Sequence, residues 1–326
     1  DRESGTLKIL LTQGASWKEV LYGKSFGLFS ISILFLGPVL LIAIIMLASE
    51  DYATADDWIR LLLIAAAYLV YIATLVLLTI IVSVSSSSSK NALVKLLGLW
   101  LILVVVLPRT SQTLGAYFYP TPTKLEFRSA IEQEVIQFGD SHDPDDPYYQ
   151  AIRDSVLRVH NVASIEELPF NYSGFQMYTG EKISAEIYMR HQRQLMEQYK
   201  KQNQLTRTLA IVNPYLGVKN LSMALCGTDL ASYVSFQLQA EEYRYKLAQT
   251  MNELQMKYIK SNVASSEGRV NVVDASEWKA FPDFSYEYPK VRQAIWHEAI
   301  AIFSMVLWLL LAIGAMNYWS KKASAL

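Results

Sequence analysis

The chain has 326 residues, of which 52% are hydrophobic and 18% are charged, and its mean hydropathy of +0.18 is too high for an ordinary soluble protein of this length. Its formal net charge of -1 provides no overall field for nucleic acid, so no nucleic-acid partner is predicted. Cys226 is the only cysteine, which excludes an intramolecular disulfide.

Near the start of the chain, Gly23-Lys24-Ser25 resembles the end of a phosphate-binding loop. The full pattern G-x-x-x-x-G-K-[ST] needs a glycine at position 18, where this chain has Lys18, and a strand before the loop. Ser16 and Glu19 instead have capping-box spacing, which predicts the start of a helix. The segment is therefore not expected to bind a nucleotide, and Lys24 is interpreted as a charge at the edge of a membrane span.

Four apolar runs are long enough to cross a membrane, because a spanning helix needs about 20 apolar residues. Thr54 and Asp57 predict a helix start before the second run. Pro38 is expected to kink the first run, and Pro108 to end the third, which Lys95 extends by snorkelling. Aromatic and charged flanks disfavour the alternative of buried core helices. The runs are Phe26–Leu47, Trp58–Val84, Ala92–Leu107 and Ile300–Trp319.

The distribution of basic residues predicts the orientation of these spans. If the N-terminus is cytoplasmic, the outside loop Ser49–Asp57 contains acidic residues and no basic one. Both ends of this chain are then cytoplasmic, and the polar stretch between the third and fourth runs is extracytoplasmic. The basic residues on the inside are Arg2, Lys8, Lys18, Lys24, Lys90, Lys95, Lys321 and Lys322.

The polar stretch is predicted to be mostly helical. Glu181–Ala210 has an amphipathic pattern that Asn213-Pro214 interrupts, and a second long helix is predicted from Asp229 to about Ser261. The two helices are expected to form an antiparallel hairpin. The fold class is therefore mainly α, a polytopic α-helical membrane protein with four recognisable spans and a mostly helical extracytoplasmic domain.

Two stretches contain residue types that bind metals. The oxygen ligands and imidazole of one are weak candidates for a cation site, although Asp-Pro runs also form ordinary turns. His297-Glu298 begins the zinc pattern H-E-x-x-H, but Ala301 stands where the second histidine is needed. No catalytic residue and no metal are predicted. The weak candidates are His142, Asp143, Asp145 and Asp146.

The N-terminal segment contains Glu3-Ser4-Gly5-Thr6-Leu7, then Leu10-Leu11, Ser16, Glu19 and Gly23-Lys24. This run resembles the cytoplasmic coupling segment of ABC-2-type permeases, the membrane subunits of one class of ABC transporter. Later motifs are similar to a bacterial subfamily with a large extracytoplasmic domain of unknown function, among them Glu166-Glu167-Leu168-Pro169 and Gly227-Thr228-Asp229. The coupling residues implied by the resemblance are Glu3, Ser4, Gly5, Thr6, Leu7, Leu10, Leu11, Ser16 and Glu19.

The resemblance implies a permease without a nucleotide site of its own, in the bacterial inner membrane, that exports a substrate. Its partners would be a cytoplasmic ABC ATPase, a second permease copy or homologue, and membrane lipid. ATP and Mg would be bound only by the ATPase. Because the family usually has six spans, two more are expected upstream of Asp1.

With that resemblance, the chain divides into five predicted segments. They are a cytoplasmic coupling elbow (1–25), three transmembrane helices (26–108), an extracytoplasmic helical domain (109–295), the last transmembrane helix (296–320) and a cytoplasmic tail (321–326). Within the elbow, Thr6–Thr12 is expected to form a short helix that Gly14 ends.

Other functions remain open from the sequence. The elbow alone is also consistent with a simple amphipathic membrane anchor. The whole chain is also consistent with a mechanical or scaffold protein, in which a cytoplasmic ATPase moves the outer hairpin against an envelope protein and nothing is transported. A membrane metalloenzyme is a third class, which rests only on His142 and its neighbouring aspartates.

Overall fold

The computed structural model describes residues 5–139, 143, 145–259 and 272–322. These ranges are mostly helical and contain no β-strand, which confirms the mainly α fold. The α-helices are α1 (Thr6–Thr12), α2 (Trp17–Ala48), α3 (Ala55–Val84), α4 (Ser89–Trp100), α5 (Leu107–Phe118), α6 (Lys124–Phe138), α7 (Pro147–His160), α8 (Tyr172–Leu209), α9 (Pro214–Leu225), α10 (Leu230–Tyr258), α11 (Ala275–Lys279), α12 (Val291–His297) and α13 (Ala299–Lys322).

Local side-chain chemistry determines where the first two long helices begin. The Ser16 hydroxyl accepts a hydrogen bond from the Glu19 N–H at 3.2 Å, and the Glu19 carboxylate accepts one from the Ser16 N–H at 2.8 Å. Before α3, the Asp57 carboxylate accepts from the Thr54 N–H at 2.9 Å. These bonds satisfy backbone donors that a helix start leaves free. Both predicted helix starts are confirmed.

Within the described residues, four helices are long and apolar enough to cross a membrane, and each contains one of the predicted runs. The second and fourth are α3 and α13, and α2 continues through Pro38 without a break. The third is longer than predicted, because α4, a π-helix over Leu101–Val106 and α5 form one continuous helix, Ser89–Phe118.

The prediction that Pro108 ends the third span is wrong. A proline inside a helix removes one N–H donor and crowds the preceding turn, but the wider π turn just before Pro108 makes room for its ring. The missing donor is replaced from elsewhere in the chain. The buried Asn213 side-chain amide donates to the Leu103 carbonyl oxygen at 2.7 Å.

The chain forms two compact units, which do not follow the predicted segment boundaries. The first contains Asp1–Tyr119, Lys200–Tyr233 and Tyr288–Leu326, and the second contains Pro120–Tyr199 and Val234–Glu287. Parts of the predicted outer segment 109–295 therefore belong to the unit that contains the spans. These parts are the end of α5, the end of α8 with α9, and α12.

The spans of the first unit pack through two separate apolar clusters. We call the end of this unit that carries α1 and the Ser85–Ser88 turn the elbow end, and the opposite end the distal end. Toward the elbow end, α2, α3 and α13 bury Leu21, Leu77, Ile80, Ala312 and Met316. Toward the distal end, α3, α9, α12 and α13 bury Ala67, Val218, Leu221, Ala224, Leu225, Ala294, Ala301 and Met305.

The chain between the third and fourth spans enters the first unit and turns back. The end of α8 runs antiparallel to α5, since its later residues contact earlier residues of the third span. The side-chain contacts that show this are Gln202 with the Tyr119 carbonyl at 2.6 Å, Thr206 with Ser111 at 3.2 Å, and Asn213 with the Leu103 carbonyl at 2.7 Å.

The returning arm is α9, a 12-residue helix that packs against both α3 and α13. At the turn, the Trp308 indole donates to the Ile211 carbonyl at 3.0 Å, and the Ser304 hydroxyl donates to the Ala210 carbonyl. Gly217 permits close packing, because a Cβ there would lie 3.3 Å from the Ala301 carbonyl oxygen. At about 18 Å, α9 is too short to cross a membrane. Because residues 200–225 enter the first unit and turn back within it, we call them the re-entrant hairpin.

The second unit contains the antiparallel helix pair predicted from the sequence. The Tyr178 carbonyl in α8 accepts from the Gln249 side chain in α10 at 3.1 Å. Just before α8, the Asn171 N–H donates to the Met256 carbonyl in α10 at 3.0 Å. Glu181 pairs with Arg244 at 2.8 Å. Later residues of α8 thus meet earlier residues of α10, so the two helices are antiparallel.

Charged contacts add to this packing in the second unit. The hydrogen bonds that Arg244 donates to Glu241 and Glu181 raise the pKa of Arg244. On α6, Glu134 faces α8, where His191 lies 2.7 Å from its carboxylate and Arg190 contacts it as well. The hydrogen bond to His191, with a smaller contribution from Arg190, lowers the pKa of Glu134.

Gly227, which follows α9, should not tolerate alanine. Its φ is +66°, and a Cβ would overlap the hydroxyl and ring of Tyr288, which donates to the Cys226 carbonyl at 3.2 Å. We expect Gly227→Ala to destabilise the detergent-purified protein by about 2 kcal/mol in thermal unfolding, from backbone strain plus displacement of the tyrosine. Gly14→Ala is the control, because Gly14 has φ +95° but no atom within 4 Å. Equal losses in both variants would contradict the role of Tyr288.

Candidate coupling site

The segment that resembles a coupling element folds as a short helix joined to the first span. The α1 bounds, Thr6–Thr12, are those predicted from the sequence. Gly5 precedes the helix with φ +74°, and Gly14 follows it with φ +95°, a conformation that glycine adopts without strain. Glu3 and Ser4 lie outside the described residues.

Ser16 and Glu19 hold the junction between α1 and α2. Besides the two capping bonds, the Ser16 hydroxyl lies 2.9 Å from the Glu19 carboxylate. The Ala15 N–H returns to the Leu10 carbonyl at 3.2 Å, and the Gly14 N–H to the Leu11 carbonyl at 3.2 Å. The turn between the two helices is therefore hydrogen-bonded on both sides, so that α1 is attached to the first span by a short, defined connection.

The leucines of α1 do not share one environment. Leu7 lines a cavity beside Trp17, and Leu11 is half-buried, whereas Leu10 is 40% exposed and Ile9 is 56% exposed. Of the three leucines that the resemblance implies as coupling residues, only Leu7 and Leu11 are covered by the first unit. Ile9, which the sequence analysis did not include, joins Leu10 as an apolar surface available to a partner.

A small cavity of about 120 Å³ lies behind α1 at the elbow end. Leu7, Trp17 and Lys24 form one side, and the serine run that connects α3 to α4 forms another. Gly23-Lys24-Ser25 is fully helical within α2, and the Ser25 hydroxyl donates to the Leu21 carbonyl at 2.9 Å. The described geometry therefore differs from a phosphate-binding loop.

The elbow is also tied to the last span. Tyr22 in α2 donates to the Asn317 side-chain oxygen in α13 at 3.0 Å. Beside this contact, Lys18 and Lys321 line a shallow groove. A movement of the start of α2 would therefore act on both the first and the last of the four spans.

The weak metal candidates of the second unit have backbone roles where they are described. Asp143 accepts from the Asp145 N–H at 2.9 Å, and Asp146 caps α7 by accepting from the Tyr148 and Tyr149 N–H groups. His142 lies outside the described residues. These contacts correspond to the turn that the sequence offered as the alternative to a cation site.

Sequence reasoning missed a buried arginine at the distal end. Arg60 is 7% exposed and bonds the Asp56 carboxylate at 2.9 Å, the Leu225 carbonyl at 3.0 Å and the Pro289 carbonyl. Asp56 in turn accepts from the Val291 N–H at 3.0 Å. One side chain thus joins the start of α3 to the end of α9 and the start of α12. A second missed cluster, around Glu298, is described below.

Among the described residues, four helices long and apolar enough to span, with an elbow helix before the first of them, define a polytopic α-helical membrane protein. The family model described as "ABC-2 family transporter protein" matches residues 1–177, and the chain belongs to this family. A "Domain of unknown function (DUF3526)" matches residues 124–287. No curated protein and no solved structure matches the chain.

Membership confirms the resemblance stated from the sequence. ABC-2 proteins are in general the non-catalytic membrane components of transporters, and they associate with an ABC ATPase. The DUF3526 match begins and ends close to the bounds of the second unit, although residues 200–233 inside it pack with the first unit. The domain of unknown function therefore includes the re-entrant hairpin.

Proposed function

We propose that this chain is the permease subunit of an ATP-driven exporter of the bacterial inner membrane, and that α1 receives a separate cytoplasmic ATPase. The observation that carries the proposal is the elbow. Ile9 and Leu10 expose an apolar surface on a short helix, and Ser16 and Glu19 couple that helix to the first span. In this proposal ATP and Mg bind only to the ATPase, and a second permease copy or homologue completes the pathway.

The charge pattern supports the orientation in this proposal. The elbow end carries Lys18, Lys24 and Lys321, and the loop at the distal end carries acidic residues. Under the positive-inside rule the elbow end is cytoplasmic. The re-entrant hairpin and the second unit would then lie toward the extracytoplasmic side.

Co-purification tests the proposal. The chain, expressed with the ABC ATPase from the same gene neighbourhood, should retain that ATPase through affinity purification and size exclusion, and vanadate should inhibit ATP hydrolysis by the complex. We expect Leu10→Asp to weaken ATPase retention about tenfold or more, because it places a charge in an apolar contact, while the melting temperature of the chain stays unchanged. Leu125→Asp, at a leucine that is 78% exposed, is the matched control.

If Leu10→Asp retains the ATPase and its ATP hydrolysis to the same extent as the Leu125→Asp control, the proposed role of the elbow is wrong. If no ABC ATPase binds the wild-type chain under conditions that keep it folded, the permease proposal itself fails. These two outcomes separate the contact from the class of protein.

A mechanical role is the second candidate. It is favoured by α8, an unbroken helix of 38 residues, of which residues up to Tyr199 belong to the second unit and the rest to the first. A helix of this kind can pass a displacement along its axis. Vesicle transport by the reconstituted complex would support export, and ATP-dependent cross-linking to an envelope protein without transport would support the mechanical role.

A further inference from the structure

Three metal-ligand side chains meet at the distal end of the first unit. Asp229 lies just before α10, and His297 and Glu298 lie at the junction of α12 and α13. His297 Nδ1 is 3.2 Å from Glu298 Oε1 and 3.8 Å from Asp229 Oδ2. One ligand atom from each residue lies within 4.8 Å of the other two. The cluster is thus built from residues far apart in the chain.

The cluster is buried and its acidic charge is incompletely balanced. The side chains of Glu298 and Asp229 are only 4% and 12% exposed. Arg207 is the neighbouring cation, with Nε 3.2 Å from Glu298 Oε1. That Nε is buried and its N–H does not point to an acceptor, so the arginine is close to Glu298 without a well-directed hydrogen bond. The buried Glu298 carboxylate is therefore paired with a poorly aligned guanidinium, which is costly.

The three ligands have the spacing and chemistry of a zinc site. Ligand atoms on an ideal tetrahedral Zn²⁺ lie about 3.4 Å apart, for bonds of about 2.1 Å, close to the two distances from His297 Nδ1. One imidazole with two carboxylates suits zinc better than Ca²⁺ or Mg²⁺, which prefer more oxygen ligands. A fourth position would remain for water.

We propose that Asp229, His297 and Glu298 form a zinc site at the distal end of this protein, and that Arg207 competes with the ion. The site joins the start of α10 to the start of α13, beside the re-entrant hairpin that ends α8. It differs from the H-E-x-x-H pattern, because Asp229 and Glu298 supply the other two ligands and residue 301 supplies none.

The competition by Arg207 follows from its contact with the imidazole. Arg207 Nη1 lies 3.2 Å from His297 Nε2, and because arginine only donates, Nε2 accepts and the ring proton is on Nδ1. To bind zinc through Nδ1, that proton must move to Nε2, which forces Arg207 away from the ring. The guanidinium charge also repels the ion. Removing Arg207 should therefore strengthen zinc binding.

Zinc titration of the detergent-purified chain tests the proposal. After chelator treatment and dialysis, isothermal titration with ZnCl₂ and metal analysis should give about one ion per chain. His297→Ala should weaken binding about a hundredfold or more, since it removes a ligand, and Asp229→Asn should weaken it as well. Arg207→Gln should bind about tenfold or more tightly. His191→Ala, which changes a histidine of the second unit, is the control.

Thermal unfolding keeps the result interpretable if a variant folds poorly. Zinc should raise the melting temperature of the wild type and of Arg207→Gln, but not that of His297→Ala. If His297→Ala still binds zinc, the proposed site is wrong. If neither the wild type nor Arg207→Gln binds zinc, and Arg207→Gln melts earlier, the residues form a structural ion-pair cluster and the proposal is wrong.

Discussion

Replacing Arg60 with methionine should lower the melting temperature of the detergent-purified protein by about 6 °C, equivalent to roughly 3 kcal/mol. Methionine retains the length of the side chain but donates no hydrogen bond. The substitution leaves the Leu225 and Pro289 carbonyls and the Asp56 carboxylate without their shared donor. Asp56 is 35% exposed, so water offsets part of the loss and the effect falls at the lower end of the range for a broken buried pair.

An exposed ion pair provides the control for Arg60. Arg153 lies 3.3 Å from Asp154, and their side chains are 40% and 60% exposed. Arg153→Met should cost less than about 1 kcal/mol, because solvent screens such pairs. Adding Asp56→Leu to Arg60→Met should recover part of the stability by removing the orphaned carboxylate, although the Val291 N–H then loses its acceptor. If Arg60→Met lowers the stability no more than Arg153→Met does, Arg60 does not anchor α9 and α12.

Features fixed by neighbours in sequence could be predicted from the sequence. The starts of α2 and α3 follow from hydrogen bonds between residues three positions apart, at Ser16 with Glu19 and at Thr54 with Asp57. The four spans follow from length and apolar composition, and α1 follows from its apolar residues and Gly14. In each case the deciding interaction lies within a few residues, so one sequence contains enough information.

Features that depend on distant partners could not be predicted in this way. The third span continues past Pro108 beside a partner, Asn213, that is far along the chain. The helix α9 is too short to meet the length rule for a span, and Asn213-Pro214 indicated only a break in the preceding helix. The burial of Arg60 could not be predicted, because its backbone acceptors lie in loops and helix ends that no periodicity in the sequence connects to it.

The candidate site shows the same division. Ser16 and Glu19 were identified through local spacing, and their bonds are present. The environment of Leu7 and Leu10 depends on which face of α1 packs against Trp17 and the serine turn, which only tertiary structure determines. The role of these residues in binding an ATPase remains a prediction that the Leu10→Asp experiment tests.

Asn213 should be the most sensitive polar residue of the re-entrant hairpin. It is fully buried and has two functions at the turn. Its side-chain oxygen caps α9 by accepting from the Tyr215 N–H at 3.0 Å, and its side-chain nitrogen donates to the Leu103 carbonyl at 2.7 Å. Neither function can be replaced by water at a site with no exposed surface.

Two substitutions separate these functions. Asn213→Ser retains a capping oxygen but cannot reach Leu103, so it should cost about 1–2 kcal/mol, the penalty for one buried unsatisfied acceptor. Asn213→Leu removes both functions and should cost about 3 kcal/mol, the sum of that penalty and a lost cap. Thr123→Leu, at the exposed cap of α6, is the control and should cost about 1 kcal/mol.

Hydrogen exchange locates the effect in the structure. In Asn213→Leu, amides of α9 and of the π-helix at Leu101–Val106 should both exchange faster, because one side chain supports both elements. In Asn213→Ser the increase should be confined to the third span around Leu103. If both variants changed only α9, the Leu103 carbonyl would have another donor, and the π-helix would accommodate Pro108 without help from the hairpin.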